Sequence, residues 1–274
     1  MKCTISNNHL INLITLLLFF VALGCQNNAS STEITEEPQI EEKDTLFQNT
    51  SQLLVVLTDN WDTNGCMIYL CEKDSGKWIV NNNVLNGVTG RSGLAWGIGL
   101  HDSLQLDTID VYKPKQEGDM KSPAGIFNLG TFYGYADSLP FPSSLNYIAI
   151  KSSFQGIDDP ASEFYNQIID TDNLEGNPED YYNSYEVIKR NDNLYKWFFQ
   201  IKHNPDNIPY KGSLIFFHIW KNPLHGTAGC IATSEENIFS IIKWLDAGKN
   251  PEIIILPKNV YSVCQQNDAF PQLF

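Results

Sequence analysis

Between residues 51 and 274 short apolar runs alternate with clusters of Asn, Gly, Asp and Pro. The runs fall at 53–57, 67–70, 145–150, 194–201, 214–220 and 253–256 and are rich in β-branched and aromatic side chains, which suit a pleated, covered surface. Neither an internal repeat nor a Ser/Gly/Pro linker interrupts the pattern, so it predicts one mainly β domain over 51–274, its strands packed in two layers. Two segments read as helical. Residues 161–170 follow Pro160 and carry apolar side chains at helical spacing, and in 235–245 Ile238, Phe239, Ile241, Ile242 and Leu245 form one stripe. Thr233 followed by Glu236 matches a capping box, which sets the start of the second helix near Ser234.

The first 25 residues read as an address. Lys2 gives a positive start, and the apolar run from Leu13 to Leu23 is shorter than the roughly 20 residues a membrane span requires. The run ends in Ala22-Leu23-Gly24-Cys25, which resembles a lipoprotein signal peptidase site with its Leu displaced by one position. The expectation is a signal segment over 1–24 and lipidation of Cys25, which with more than one acyl chain anchors the protein to a membrane. An ordinary secretory signal that happens to contain Cys25 is the alternative. Both place the mature chain outside the cytoplasm, in the cell envelope. Gln26 supplies no acidic retention signal, which favours the periplasmic face of the outer membrane. Residues 25–50, with Glu33, Glu36, Glu37, Glu41, Glu42 and Asp44 among few apolar side chains, read as an acidic, solvated tether.

Composition changes the picture in two respects. With 18 basic against 32 acidic residues and a formal charge of −14, no basic surface is available to neutralise phosphates, so nucleic acid is excluded as a partner; a monomer is expected. Six cysteines show no C-x-x-C pair for a zinc ribbon. Cys66 and Cys71 lie five apart in one apolar run and would face opposite ways on a strand, whereas Cys264 lies in a polar tail; pairing of either with Cys264 stays open.

The candidate chemistry lies between Ser213 and Thr233. His218 sits inside Ser213-Leu-Ile-Phe-Phe-His218-Ile-Trp220, a run so apolar that both strand faces should be covered, and a buried imidazole needs a partner at each nitrogen. Taken alone it reads as a core histidine satisfied by backbone. The return segment Pro223-Leu-His225-Gly226-Thr227-Ala228-Gly229-Cys230 then leads towards the helix, so Cys230 is expected just ahead of a helix N-terminus, where the dipole favours thiolate. Gly229 permits close backbone approach, and the Gly229 and Cys230 N–H groups are expected to receive an oxyanion. His218 beside Cys230 would give the thiol a base, the minimum equipment of covalent acyl transfer.

The string H-x11-C ending in Thr227-Ala-Gly-Cys230 resembles the signature of the L,D-transpeptidase (YkuD-like) catalytic domain. Further blocks follow the same order: Gly90-Arg-Ser-Gly93-Leu94, then Lys115-Gln-Glu117-Gly118-Asp119-Met-Lys-Ser122-Pro123-Ala124-Gly125-Ile-Phe127, similar to the family's E-G-D…[ST]-P-x-G-x-F block. Asp158-Asp159-Pro160 with Ser162-Glu-Phe-Tyr165-Asn166 resembles the D-D-P-x-S block of one branch, and Arg190-Asn-Asp192-Asn-Leu194-Tyr195 and His203-Asn204 continue it. The resemblance covers about residues 85–256. It implies a β-sandwich of mixed sheets with a few short helices, and a cysteine enzyme acting on peptidoglycan stem peptides without a cofactor. Cys230 would attack the carbonyl between the third residue and D-Ala, and an amine or water would resolve the thioester. Ser122, Pro123, Gly125, Asp159, Tyr165 and Thr227 would support or line the substrate cleft.

The chain departs from the family pattern at two places around the cysteine. Many members have His two residues before it and Arg two residues after it; here Ala228 and Ala232 stand there. That leaves acceptor recognition and the group orienting His218 open: a backbone carbonyl is expected, with Thr227 and His225 as alternatives. A zinc site from His218, His225 and Cys230 lacks a fourth ligand, so no metal is expected. A non-catalytic, wall-binding lipoprotein is the rival from another class.

Overall fold

The run at 53–57 forms the centre of β1 (Gln52–Thr58), all seven residues of which are buried, as befits a strand covered on both faces. The computed structural model describes residues 46–101 and 113–274; the expected signal segment 1–24, Cys25 and the expected tether as far as residue 45 lie outside the described residues. With strands numbered in chain order, β1 pairs in parallel with β14 (Glu252–Pro257) and antiparallel with β2 (Gly65–Asp74). From β2 the pairing passes to β4 (Leu85–Val88), β13 (Ile231–Thr233), β12 (Phe216–Ile219), β11 (Trp197–Ile201) and β6 (Ser122–Gly134), and from β6 back to β14. Eight strands therefore form a hydrogen-bonded circuit that closes on itself, with β1–β14 and β12–β13 as its parallel steps. Closure pairs backbone groups that an open edge would leave exposed. β3 (Lys77–Val80) extends from β2, while β5 (Leu94–Trp96) and β7 (Tyr147–Ala149) pair in parallel with β6. A separate sheet has the order β10 (Tyr185–Val187), β8 (Phe154–Ile157), β9 (Gln167–Asp170). The architecture is mainly β with mixed sheets, consistent with a β-sandwich.

Side-chain alternation on β11 and β12 sorts their aromatic residues into two cores. Phe199 and Phe217 enter the main core and stack with centroids 5.0 Å apart. Phe198 and Phe216 point the other way, into a smaller cluster with Tyr195, Leu214 and Ile188, their centroids 5.2 Å apart. Each of these four phenyl rings is fully buried, and burial of each contributes about 2–3 kcal/mol. Because the side-chain period of a strand is two, His218 shares a face with Phe216 and looks into the smaller cluster.

The helix expected over 235–245 is α1 (Glu235–Trp244), with Ile238, Ile241 and Ile242 on its buried side. Its cap lies one residue later than the Thr233–Glu236 pattern implied. Ser234 Oγ accepts the Asn237 N–H at 3.1 Å, while Thr233 ends β13 and donates to the Asn86 carbonyl at 2.6 Å. Residues 161–170 are not helical. Asp159 Oδ1 accepts the Ala161 N–H at 2.9 Å, Ser162 Oγ accepts the Phe164 N–H at 3.1 Å, and Asn166 takes a left-handed φ of 64°. These local side-chain bonds wind the chain into turns that deliver it to β9.

Two further expectations are corrected. Cys264 is buried on a second helix, α2 (Lys258–Cys264), rather than in a polar tail, and Cys66, Cys71 and Cys264 are all free thiols. The domain also begins before residue 51: Phe47, assigned to the tether, is 4% exposed and packs edge-on against Trp78 and Phe270. Among the described residues no helix is long and apolar enough to cross a membrane.

Candidate active site

β12 and β13 run parallel, with Phe217 opposite Ile231 and His218 opposite Ala232. Extending this register by one residue sets Cys230 beside Phe216, so His218 and Cys230 share a face as diagonal neighbours. Such positions lie roughly 7 Å apart at the backbone, within reach of an imidazole and a thiol. Both line one cavity of about 430 Å³. The strand β13 separates Cys230 from α1, so the expected placement of the thiol at a helix N-terminus does not hold. The register of a parallel strand pair, rather than a helix dipole, sets its position.

The turn before Cys230 is stitched to neighbouring strands. Thr227 forms an isolated bridge with Gly90; its N–H donates to the Thr89 carbonyl and its own carbonyl accepts the Arg91 N–H, each at 2.9 Å. Two hydroxyls hold the Cys230 carbonyl: Thr227 Oγ1 donates at 2.6 Å and Ser122 Oγ at 2.9 Å. Ser122 Oγ also accepts the Gly90 N–H at 2.8 Å. Gly229 has a φ of +155°, which favours glycine, and its N–H donates to Thr227 Oγ1 at 3.1 Å. That donor, expected to face an oxyanion, is therefore already engaged.

A backbone carbonyl orients His218, as expected: Nδ1 lies 2.8 Å from the Ile219 carbonyl oxygen. A carbonyl only accepts, so Nδ1 bears the proton in the neutral ring and Nε2 keeps its lone pair for an incoming proton. Tyr195 meets the imidazole edge-on, with centroids 5.1 Å apart. Burial lowers the His218 pKa to about 4, so at neutral pH the ring is an uncharged base. The Cys230 thiol is pushed up to about 12, first by burial and then by the negative charge of Glu186; the Phe216 N–H and Lys115 oppose this. Sγ accepts the Phe216 N–H at 3.3 Å and donates to the Leu214 carbonyl at 3.5 Å. The thiol is thus neutral and bonded to the backbone of Leu214 and Phe216.

These burials shape stability. His203, like His218, is lowered from 6.5 to about 4 by burial. Between those values the unfolded chain binds the protons, so stability falls as pH drops from 6.5 towards 4, by about 3 kcal/mol per histidine once both states are protonated. Cys71 and Cys230, both raised from 9.0 to about 12, remove stability as pH climbs above 9.0. Urea midpoints should therefore be highest between about pH 6.5 and 9. His218→Gln should lose about half of the acid-side drop that the two histidines cause; an unaltered acid limb in that variant would show that the ring is not buried as a neutral base.

Of the residues singled out by sequence, His218, Thr227, Gly229 and Cys230 lie on the cavity wall, and Ser122, Pro123, Gly125, Asp159 and Tyr165 do not. Ser122 acts through the Cys230 carbonyl. Pro123 stands opposite Ala95 in the β5–β6 pair. Gly125 lets His101 pack against β6, since a β-carbon there would lie 2.0 Å from the ring. Asp159 ties the turn after β8 to Asn183, accepting its N–H at 2.8 Å. Tyr165 donates to Glu117 Oε2 at 2.5 Å, and Glu117 lines the cavity. His225 is exposed at the rim and Thr227 Oγ1 is directed to the Cys230 carbonyl, so the Ile219 carbonyl is the group that orients His218.

Charged residues with no role assigned from sequence complete the wall: Lys115, Asp158 and Arg190, which stand in the family-like blocks, and Glu186 and Lys221, which stand outside them. Glu186 accepts from the Tyr195 hydroxyl at 2.7 Å, and Arg190 grips Asp192 through Nε and Nη2. Tyr182, Tyr195 and Trp197 are buried, while Glu186, Arg190 and Leu194 border the cavity. Among the described residues no group of three or more His, Cys, Asp or Glu side chains is placed to hold a metal ion.

No curated protein and no solved structure matches the chain. The family model described as YkuD, L,D-transpeptidase catalytic domain, matches residues 86–255. That span runs from β4 into β14 and contains the cavity, His218 and Cys230, so the chain belongs to the L,D-transpeptidase catalytic domain family, whose members act on peptidoglycan.

Proposed function

We propose that Cys230 is the nucleophile of an acyl transfer on peptidoglycan stem peptides, with His218 as its base. The observation that carries this reading is the shared face and shared cavity of the two side chains, with the His218 Nδ1 proton committed to the Ile219 carbonyl. A bound stem peptide excludes water, and the thiol turns from the Leu214 carbonyl towards Nε2. Sγ attacks the carbonyl between the third residue and D-Ala, D-Ala leaves with the proton His218 has taken, and a thioester remains. The amine of a neighbouring stem then attacks the thioester and gives up a proton to His218 Nε2; the C–S bond breaks, the sulfur leaves and takes that proton back, and a 3–3 cross-link and the free Cys230 thiol result. Ser122 and Thr227 hold the backbone of Cys230 through both steps.

The same proposal places the chain in the cell envelope, exported through residues 1–24 and anchored by acylated Cys25 at the periplasmic face of the outer membrane. An intact mass of the mature chain without acyl groups on Cys25 contradicts that anchoring. The reaction is tested by incubating the protein with disaccharide-tetrapeptide fragments and separating the products. Release of D-Ala with 3–3 linked dimers is expected. Tripeptide alone would make water the acceptor, as in an L,D-carboxypeptidase, and unchanged fragments would favour a wall-binding protein without turnover.

A further inference from the structure

A buried cation stands beside Gly229. The Lys115 side chain is 3% exposed, and its stem packs on Gly212, where a β-carbon would come within 3.0 Å of Cε. An ammonium has three N–H donors. Here Nζ donates to Asp119 Oδ1 at 2.6 Å and to the Gln116 carbonyl at 2.9 Å. Asp119 is itself fixed, because its oxygens accept the Gln116 and Lys121 N–H groups, each at 2.9 Å. One N–H of Lys115 is left for the cavity that it lines with Gly229 and Cys230. Its Nζ lies 3.8 Å from the point that a Gly229 β-carbon would occupy.

Acyl transfer at Cys230 needs a donor at that place. As the S–C bond forms, the carbonyl π pair moves onto oxygen and the thiol proton passes to His218 Nε2. As the intermediate collapses, that pair re-forms the carbonyl, the C–N bond breaks, and the His218 proton goes to the departing amine. Between these events the oxygen carries a negative charge that positioned donors must meet. The Gly229 N–H is occupied by Thr227 Oγ1. We infer that Lys115 is a further catalytic residue, whose free ammonium N–H donates to the oxyanion formed at the carbonyl that Cys230 attacks. This rests on the acyl-transfer reading above. The lysine charge also favours the Cys230 thiolate, against the opposing effect of Glu186.

Three probes of the full chain separate the possibilities. Iodoacetamide alkylates a thiolate without forming an oxyanion. p-Nitrophenyl acetate forms one and carries no carboxylate, and a carbapenem forms one and carries a carboxylate. In Lys115→Met, acylation of Cys230 by the ester and by the carbapenem should both fall about 100-fold, with alkylation changed less than about five-fold. Lys115→Arg, which keeps the charge, should retain ester acylation within about ten-fold. A loss confined to the carbapenem would make Lys115 a carboxylate anchor and overturn the inference. So would an equal loss with all three probes, or no loss. If Lys115→Met does not fold because Asp119 is left unpaired, the same ratio is read in Lys115→Met/Asp119→Asn. Should the unaltered protein accept neither acylating probe at Cys230, the acyl-transfer reading itself falls, whatever the variants do.

Discussion

Cys230→Ala is expected to reduce D-Ala release from tetrapeptide fragments by a factor of about 10⁴ or more, to background, while the fold persists. The size of the loss follows from the role proposed: without the nucleophile no covalent intermediate forms, and the remaining residues offer only binding and donors. Persistence of the fold follows from the setting of the sulfur. Cys230 as a residue is half-buried and its Sγ makes two long contacts, 3.3 Å from the Phe216 nitrogen and 3.5 Å to the Leu214 oxygen, whereas the clamps from Ser122 and Thr227 act on the Cys230 backbone carbonyl. Product analysis beside a urea titration checks both halves. Residual turnover above about one per cent of the original, on the scale of losses seen for removed nucleophiles, would exclude Cys230 from that role.

His218→Gln should lower acylation of Cys230 by about 10²–10⁴, the usual worth of a positioned base. The unaltered protein should also show an unusual pH profile. A neutral base is required, and the imidazole stays neutral down to about pH 4 because it is buried. Acylation by p-nitrophenyl acetate should therefore be nearly flat from about pH 5 to 8 and fall only as acid protonates Nε2. A half-maximal point near the ordinary histidine value of 6.5 would show that the ring is solvated in the working enzyme.

How much of this was legible in the sequence depended on the local signal. The runs at 53–57 and 253–256 are continuous and β-branched, and they became the buried parallel pair β1–β14. By contrast the 13-residue β6 hides its strand character, because Gly125, Gly130 and Gly134 interrupt the apolar positions. In β10 the alternation is inverted. Tyr185 and Val187 are 48% and 52% exposed while Glu186 between them borders the cavity, since the covered face of this strand looks onto the cleft rather than a core. Composition rules place such a glutamate outside, which is why Glu186 went unread. The pairing of His218 with Cys230 was legible from their spacing and from the apolar run around the histidine. Its electrostatics were not: three residues of β13 displace the helix, and burial raises the thiol where a helix dipole was expected to lower it.

Whether one sulfur carries the acyl group is read by intact-protein mass spectrometry after brief mixing with disaccharide-tetrapeptide. The expected product is a protein heavier by the fragment less D-Ala, labile to hydroxylamine as a thioester is, with the added mass mapping to the peptide that contains Cys230. Fragment turned over with no such adduct under rapid acid quench, or an adduct that survives in Cys230→Ala, would contradict Cys230 as the carrier.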